Sequence, residues 1–391
     1  MKNIKEKKKL GYRRLFLFLG LLMLCGGIYF YLDLDNLSIN ITKNNDGPFV
    51  FNLNKNEIKI VKTHTINDSL QIIRYKQNRT KAFNCLVDNE DNDVLKLSLM
   101  DSLKSNLNTI KSVDSIFVMS DIHGCANAMI SLLQKNKIVD KNFNWIFGNG
   151  HLVMVGDVTD RGKNTMACLW LLYKLQKQVG ERVHYLFGNH ELMTLYGRYS
   201  YLNEKTKSSL KKIMKVDSKS KALKEMFSEK SELGSWIRKC NVIERIGGLL
   251  FVHAGISKDF MNLNISLDSI NKIYQENCDR KSSDLKKESK EFNIIFGRMG
   301  PVWYRGMVMD YKKYYKKMSQ KDFDTVLSYY NVNKIIIGHT EVDSVSYDYN
   351  KKLIRVNVHQ PKVKNSNKAQ ALMILKGKYY RVYGNGIRKE L

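Results

Sequence analysis

Nine side chains in this sequence have the types and spacing to do chemistry together. Asp121 and His123 stand two residues apart, so on an extended segment both point the same way and can share one ion. Asp157 can bridge that ion to a second, Asn189 offers a neutral carbonyl oxygen, and His253 and His339 add imidazoles. Such donors fit two metal ions about 3.5–4 Å apart, an arrangement that clamps a phosphate ester and generates hydroxide at neutral pH. His190, directly after Asn189, can protonate a leaving oxygen, and Asp160, three residues after Asp157, can hold that imidazole charged and oriented. Arg161 presents a planar fork to phosphate oxygens.

Each group is delivered by an apolar run. Ser115–Ser120 leads into Asp121-Ile122-His123-Gly124, Leu152–Val155 into Gly156-Asp157-Val158-Thr159-Asp160-Arg161-Gly162, and Val183–Phe187 into Gly188-Asn189-His190-Glu191. Leu249–Val252 leads into His253-Ala254-Gly255, and Lys334–Ile337 into Gly338-His339-Thr340. Short β-branched or apolar runs ended by Gly and Asp read as buried strands. In open α/β sheets, ligands gather outside the carboxyl ends of the strands.

In this order the five motifs resemble the calcineurin-like metallophosphoesterases, and more narrowly the PPP-type phosphatases and their bacterial Shewanella-like branch. The resemblance runs from about Phe117 to Val358. It implies an α/β protein with the four-layer α/β/β/α metallophosphoesterase fold, a central β-sandwich flanked by helices. It implies that Asp121, His123 and Asp157 hold one metal and that Asp157, Asn189, His253 and His339 hold the other. Both ions are divalent and drawn from manganese, iron or zinc. His190 with Asp160 is then the catalytic acid pair and Arg161 a phosphate binder. The segment Gly300-Pro301-Val302-Trp303-Tyr304-Arg305-Gly306 resembles the one that supplies a second phosphate-binding arginine, here Arg305.

Three departures stand out. Ser120 replaces the usual Gly before Asp121, Asn357 stands where similar chains often carry Asp, and Glu341 stands where broader phosphodiesterases carry a second His. The last favours phosphomonoesters over diesters. The expected activity is therefore a dinuclear-metal phosphatase acting on a phosphoprotein or a small phosphate ester; the resemblance favours phosphoproteins, with a serine/threonine protein phosphatase foremost. The rival readings are a nuclease, dinucleoside polyphosphate or cyclic-nucleotide hydrolase on the same core, or a non-catalytic module that binds anionic ligands.

The N-terminus carries a different signal. Seven Lys and Arg against one Glu in the first fourteen residues precede eighteen uncharged residues, Leu15–Leu32. As a helix these would span about 27 Å, close to a bilayer's hydrocarbon core. Asp33, Asp35 and Asp46 outnumber Lys43 on the far side, so the positive-inside rule keeps the N-terminus in the cytoplasm and exports the rest. The expectation is a single-pass membrane protein anchored through this helix, with a periplasmic or extracellular catalytic domain. A cleaved signal peptide and a lipoprotein acylated at Cys25 are the alternatives. Export would permit disulfides among the six cysteines.

The chain thus divides into a basic tail and anchor (1–32), a β-rich leader (33–112) and the metallophosphoesterase domain (113–391). In the leader, Phe49–Phe51, Ile58–Val61 and Leu70–Tyr75 read as a small antiparallel sheet continued by Val94–Leu99. A Lys-rich insert, Lys205–Lys230, has a partial helical stripe and reads as a solvated lid. Ala371–Leu375 and Tyr379–Val382 read as closing strands. The formal net charge is +27, of which the first fourteen residues hold +6. The remainder reads as a Lys- and Asn-rich bias over solvated faces, and nucleic acid is not an expected partner.

Overall fold

In a computed structural model that describes residues 41–66 and 69–391, the chain opens with three antiparallel strands. These are β1 (Ile41–Asn52), β2 (Glu57–Ile66) and β3 (Ser69–Asn78). The stretch expected to continue that sheet does not. Instead β4 (Phe83–Leu86) and β5 (Val94–Leu97) form a separate hairpin. Alternation explains the choice: Phe83 lies opposite Leu97 and Cys85 opposite Leu95, and all four are buried on one face.

Two six-stranded sheets follow. Their strands are β6 (Thr109–Ile110), β7 (Ser115–Met119), β8 (His151–Met154), β9 (Val183–Tyr185), β10 (Ile243–Ile246), β11 (Leu249–Val252) and β12 (Lys334–Ile337), then β13 (Ser346–Asp348), β14 (Leu353–Arg355), β15 (Gln370–Leu375), β16 (Lys378–Tyr383) and β17 (Arg388–Glu390). One sheet runs β17-β16-β15-β7-β8-β9 and the other β13-β14-β12-β11-β10-β6. Within them β7-β8-β9 and β11-β12-β14 are parallel. The expected closing strands are β15 and β16.

Parallel strands covered on both faces read as continuous apolar runs rather than as alternation. On β7, Ile116 and Val118 face a core shared with Phe251, Ile336 and Leu372 of the two sheets. Phe117 and Met119 point the other way, into a core shared with helices α1 (Ala126–Lys135) and α2 (Thr165–Val179). The result is the expected sandwich of two sheets flanked by helices. After β9 come α3 (Asn189–Leu195), α4 (Glu204–Met214), α5 (Lys219–Met226) and α6 (Glu232–Ile237). Helices α4 and α5 are the Lys-rich insert.

The leader packs on this framework through polar bonds as well as apolar contact. The Trp170 indole on α2 donates to the Pro48 carbonyl at 2.8 Å. Glu232, fully buried at the start of α6, accepts from Asn52 and Tyr173 at 2.9 and 2.6 Å and pairs with Arg79 at 3.0 Å.

The expected single-pass membrane placement needs correction. Among the described residues no helix is long and apolar enough to cross a membrane. The fifteen-residue α2 would reach only about 22 Å and has both core-facing and charged positions. The run Leu15–Leu32 that carried the anchor expectation lies outside the described residues, as does Cys25. The five described cysteines are free thiols.

Candidate metal centre and phosphate site

The carboxyl ends of β7, β8, β11 and β12, and the turn that follows β9, open toward one point. The chain turns abruptly there: φ is 50° at Asp121, 44° at His123, 55° at Asp157, 71° at Asp160, 60° at Arg161 and 60° at His339. These left-handed conformations disfavour a Cβ, although Asp and His tolerate them better than most residues. The turns also press together. A Cβ on Gly156 would lie 2.7 Å from Gly188 and from His253 Nδ1, so only glycine allows β8 to come so close to its neighbours.

Six side chains form a linked cluster. His123 Nε2 is 3.9 Å from Asp121 Oδ1 and 3.8 Å from Asp157 Oδ2. On the other side of Asp157, its Oδ2 is 3.3 Å from His253 Nε2, which is 3.1 Å from Asn189 Oδ1. The His253 and His339 rings stand 5.0 Å apart. Two histidines have their tautomer fixed by backbone carbonyls: His123 Nδ1 faces Thr159 O at 2.9 Å and His253 Nδ1 faces Val155 O at 2.7 Å. Each therefore turns an Nε2 lone pair inward, the usual outer support of a metal-binding imidazole.

Several observations fit cations here. The inward His253 nitrogen, Asn189 Oδ1 and Asp157 Oδ2 are all electron-rich, a donor set that suits a positive charge among them. Without a metal a proton fills that need: burial works against the imidazolium, but the Asp157 charge outweighs it and lifts His253 to about 9. Burial lifts Asp121 to about 7, and burial together with the His253 and Arg305 charges holds His339 well below the ordinary imidazole value. His339 Nε2 is buried without a hydrogen-bond partner. A neutral imidazole with an unclaimed nitrogen is a metal ligand in waiting.

Beside this cluster lies the candidate acid. His190 Nδ1 is 2.7 Å from Asp160 Oδ2, and its Nε2 is 4.0 Å from Asp157 Oδ2. Burial disfavours the charged ring, yet the Asp157 charge and the Asp160 bond raise His190 above its ordinary value. Burial raises Asp160 while its bond to His190 pulls it back. The proton of the pair therefore sits on the imidazole. The Tyr201 ring packs edge-on against His190 at 5.1 Å, and its carbonyl accepts from the Arg161 N–H at 2.9 Å. Arg161 is exposed at the rim. Arg305 is half-buried, and its guanidinium donates to His339 O and Thr340 Oγ1 at 3.2 Å each. All ten residues singled out in the sequence thus lie in or beside one cleft.

Other residues, which the sequence reading left without a role, hold the site in shape. Glu191 closes the Gly-Asn-His-Glu motif and is fully buried. It accepts from the backbone N–H groups of Asp157, Val158, Thr159 and Gly188 and from the Thr159 hydroxyl, at 2.8–3.1 Å. Both turns that deliver ligands are thereby tied to one carboxylate. Asn357, the departure whose effect the sequence left open, donates to Asp121 Oδ1 at 2.9 Å. An aspartate could not donate there unless protonated, so the amide suits an ionised Asp121. Ser120, the other departure, donates its hydroxyl to Asp121 Oδ2, which also accepts from the His339 N–H at 3.0 Å.

Comparison with known proteins agrees with this geometry. The calcineurin-like phosphoesterase family model matches residues 115–343. Shewanella-like protein phosphatase 1 of Plasmodium berghei (strain Anka) is 26% identical over 252 residues, covering 64% of this chain and 67% of that protein. A symmetrical bis(5'-nucleosyl)-tetraphosphatase of Buchnera aphidicola is 32% identical over 149 residues, but covers only 37% of this chain and 45% of its own. Among solved structures, the cold-active protein-tyrosine phosphatase of a psychrophilic Shewanella species superposes with a TM-score of 0.74 at 27% identity, covering 89% of this chain and 99% of that one.

Proposed function

The chain belongs to the calcineurin-like phosphoesterase family, in its Shewanella-like branch, and from that premise we propose that it is a metal-dependent phosphoprotein phosphatase acting on phosphomonoesters. Asp121, His123 and Asp157 would hold one divalent ion; Asp157, Asn189, His253 and His339 would hold the second. Two such ions, when bound, supply Lewis acidity to the phosphoryl oxygens and lower the pKa of the attacking water. The chain's own residues do the rest. Arg161 and Arg305 bind and orient the phosphoryl group from the rim and from the wall beside His339. His190 delivers its Nε2 proton to the departing oxygen, while Asp160 keeps that proton available and fixes the ring. Burial of Glu191 and the bonds it accepts keep both ligand turns from moving.

One observation carries this reading: a buried His–Asp pair of raised imidazole pKa stands within 4.0 Å of the carboxylate shared by both metal groups. Such a pair supports an acid on the same face as the candidate ligands, where a leaving oxygen would need its proton. Phosphoprotein rather than nucleotide substrates are favoured because the phosphatase relatives match far more of the chain than the tetraphosphatase does.

The test is turnover of phosphoserine, phosphothreonine and phosphotyrosine peptides, beside a dinucleoside tetraphosphate, with added divalent metal. Turnover of the peptides, abolished by chelator, is expected. Asp157→Asn should lose bound metal and activity together, since it removes charge from both ligand groups. An inactive Asp157→Asn protein that keeps two tightly bound ions would contradict the bridging role. Faster turnover of the tetraphosphate than of any peptide would replace the phosphoprotein reading.

A further inference from the structure

The cleft does not end at the metal centre. A cavity of about 600 Å³ adjoins it, lined in part by Arg305 of the candidate phosphate site and by Trp303. Trp303 packs edge-on against His339 at 6.0 Å, so the cavity borders the wall of the candidate metal centre. Its walls add Arg198, Lys281, Lys286 and Arg298, and no carboxylate lines it. None of these four makes an ion pair among the described residues, and no acidic side chain stands between them to screen one from another. The Arg298 guanidinium lies over the Tyr314 ring at 4.0 Å, a contact that covers its face and leaves its N–H edge for a carboxylate fork. Arg198 lies over Tyr201 at 4.9 Å and donates from Nε to Ser200 Oγ and from Nη2 to the Tyr201 hydroxyl, each at 3.4 Å, so it adds charge to the wall rather than a free fork.

Charge of one sign in a cleft needs a reason, since like charges repel and burial penalises them. Burial and the neighbouring Arg298 charge lower the Lys286 pKa. Another cavity, of about 990 Å³, is a useful contrast. It mixes Glu229 and Asp268 with Arg238 and Lys272 and contains no residue of the metal centre.

Resting on the phosphatase reading, we propose that this groove selects phosphoproteins whose phosphorylated residue is flanked by Asp and Glu. The cations come from three separate segments, around 198, 281–286 and 298–305, which suits an extended chain bearing several carboxylates better than a single compact anion. Each exposed charge contact is weak, so the effect is a summed preference rather than an absolute requirement.

The experiment uses the full chain with divalent metal and three phosphopeptides sharing one phosphoresidue, flanked by Glu, by Ala or by Lys. The Glu-flanked peptide should show kcat/KM about tenfold above the Ala-flanked one, mainly through KM, with the advantage shrinking as salt rises. Direct binding of a fluorescent, unphosphorylated Glu-rich peptide gives a readout that needs no catalysis. In Lys281→Glu/Lys286→Glu the preference should vanish and the Glu-rich peptide should no longer bind. If that variant keeps the full preference, the groove is not responsible and the proposal fails. Equal kcat/KM on all three peptides also overturns it. The two readings separate cleanly: failure of the wild-type enzyme on every phosphomonoester, a small aryl phosphate included, would sink the phosphatase reading, whereas turnover without flank preference sinks the groove alone.

Discussion

The bond between His190 Nδ1 and Asp160 Oδ2 decides which nitrogen faces the reacting ester, and so what each residue's loss should do. Removing the acid should hurt most where the leaving oxygen is a poor leaving group. His190→Ala is expected to lose ~10²–10⁴-fold in kcat on a phosphoserine peptide and clearly less on an aryl phosphate. Asp160→Asn should give a milder version of the same pattern, and bound metal should stay near two because the neighbouring ligand is Asn189. Equal losses on both substrates, with a fall in metal, would mean that His190 packs beneath the ions instead. Residues of this kind were legible in the sequence because their chemistry needs a fixed type at a fixed spacing. Glu191 was not, though it sits in a recognised motif: its task is to accept backbone N–H groups, and backbone donors leave no trace in side-chain pattern. Asn357 was noticed only as a departure, because its partner Asp121 lies more than two hundred positions away.

At the scale of elements, the strands that carry the site were readable from their apolar runs, whereas the leader was readable only in part. Its three-stranded sheet follows alternation within each strand. The β4–β5 hairpin depends on which partner Val94–Leu97 meets, and short strands do not announce partners. Nor did the sequence reveal that Glu232 ties the leader to α2 and α6. Glu232→Ala would strip Arg79 of its carboxylate and leave the Tyr173 hydroxyl and Asn52 amide without an acceptor. Losing one partner of a buried pair costs ~3–5 kcal/mol, and Arg79, a fifth exposed, places this case at the low end. Denaturant unfolding should show that loss, and Glu232→Gln should recover part of it. A change within about 0.5 kcal/mol would mean that the leader sits on the helices through apolar contact alone.

Across the whole molecule, the basic excess looked like undirected bias in the sequence. Only the folded chain brings Arg198, Lys281, Lys286 and Arg298 to one wall, from segments too far apart for charge patterning to link. The molecule also keeps a reserve of strain at its centre. Six residues of the candidate site hold φ between 44° and 71°, at about 1 kcal/mol for a residue such as Arg161 and less for Asp and His, against a typical folding margin of about 5–15 kcal/mol. Arg161 is the clearest test, since it is exposed and its proposed role is confined to binding the ester. Arg161→Gly should raise stability by about 0.5–1 kcal/mol, less than the full strain because glycine also loosens the unfolded chain, while kcat/KM falls by ~10²-fold. A variant both slower and less stable would show that the turn is not strained. If the trade holds, thermal hardiness and turnover pull this chain in opposite directions at the same positions. A duplicate gene released from the need to catalyse would then be expected to drift toward glycine and asparagine at the ligand turns long before its core began to erode.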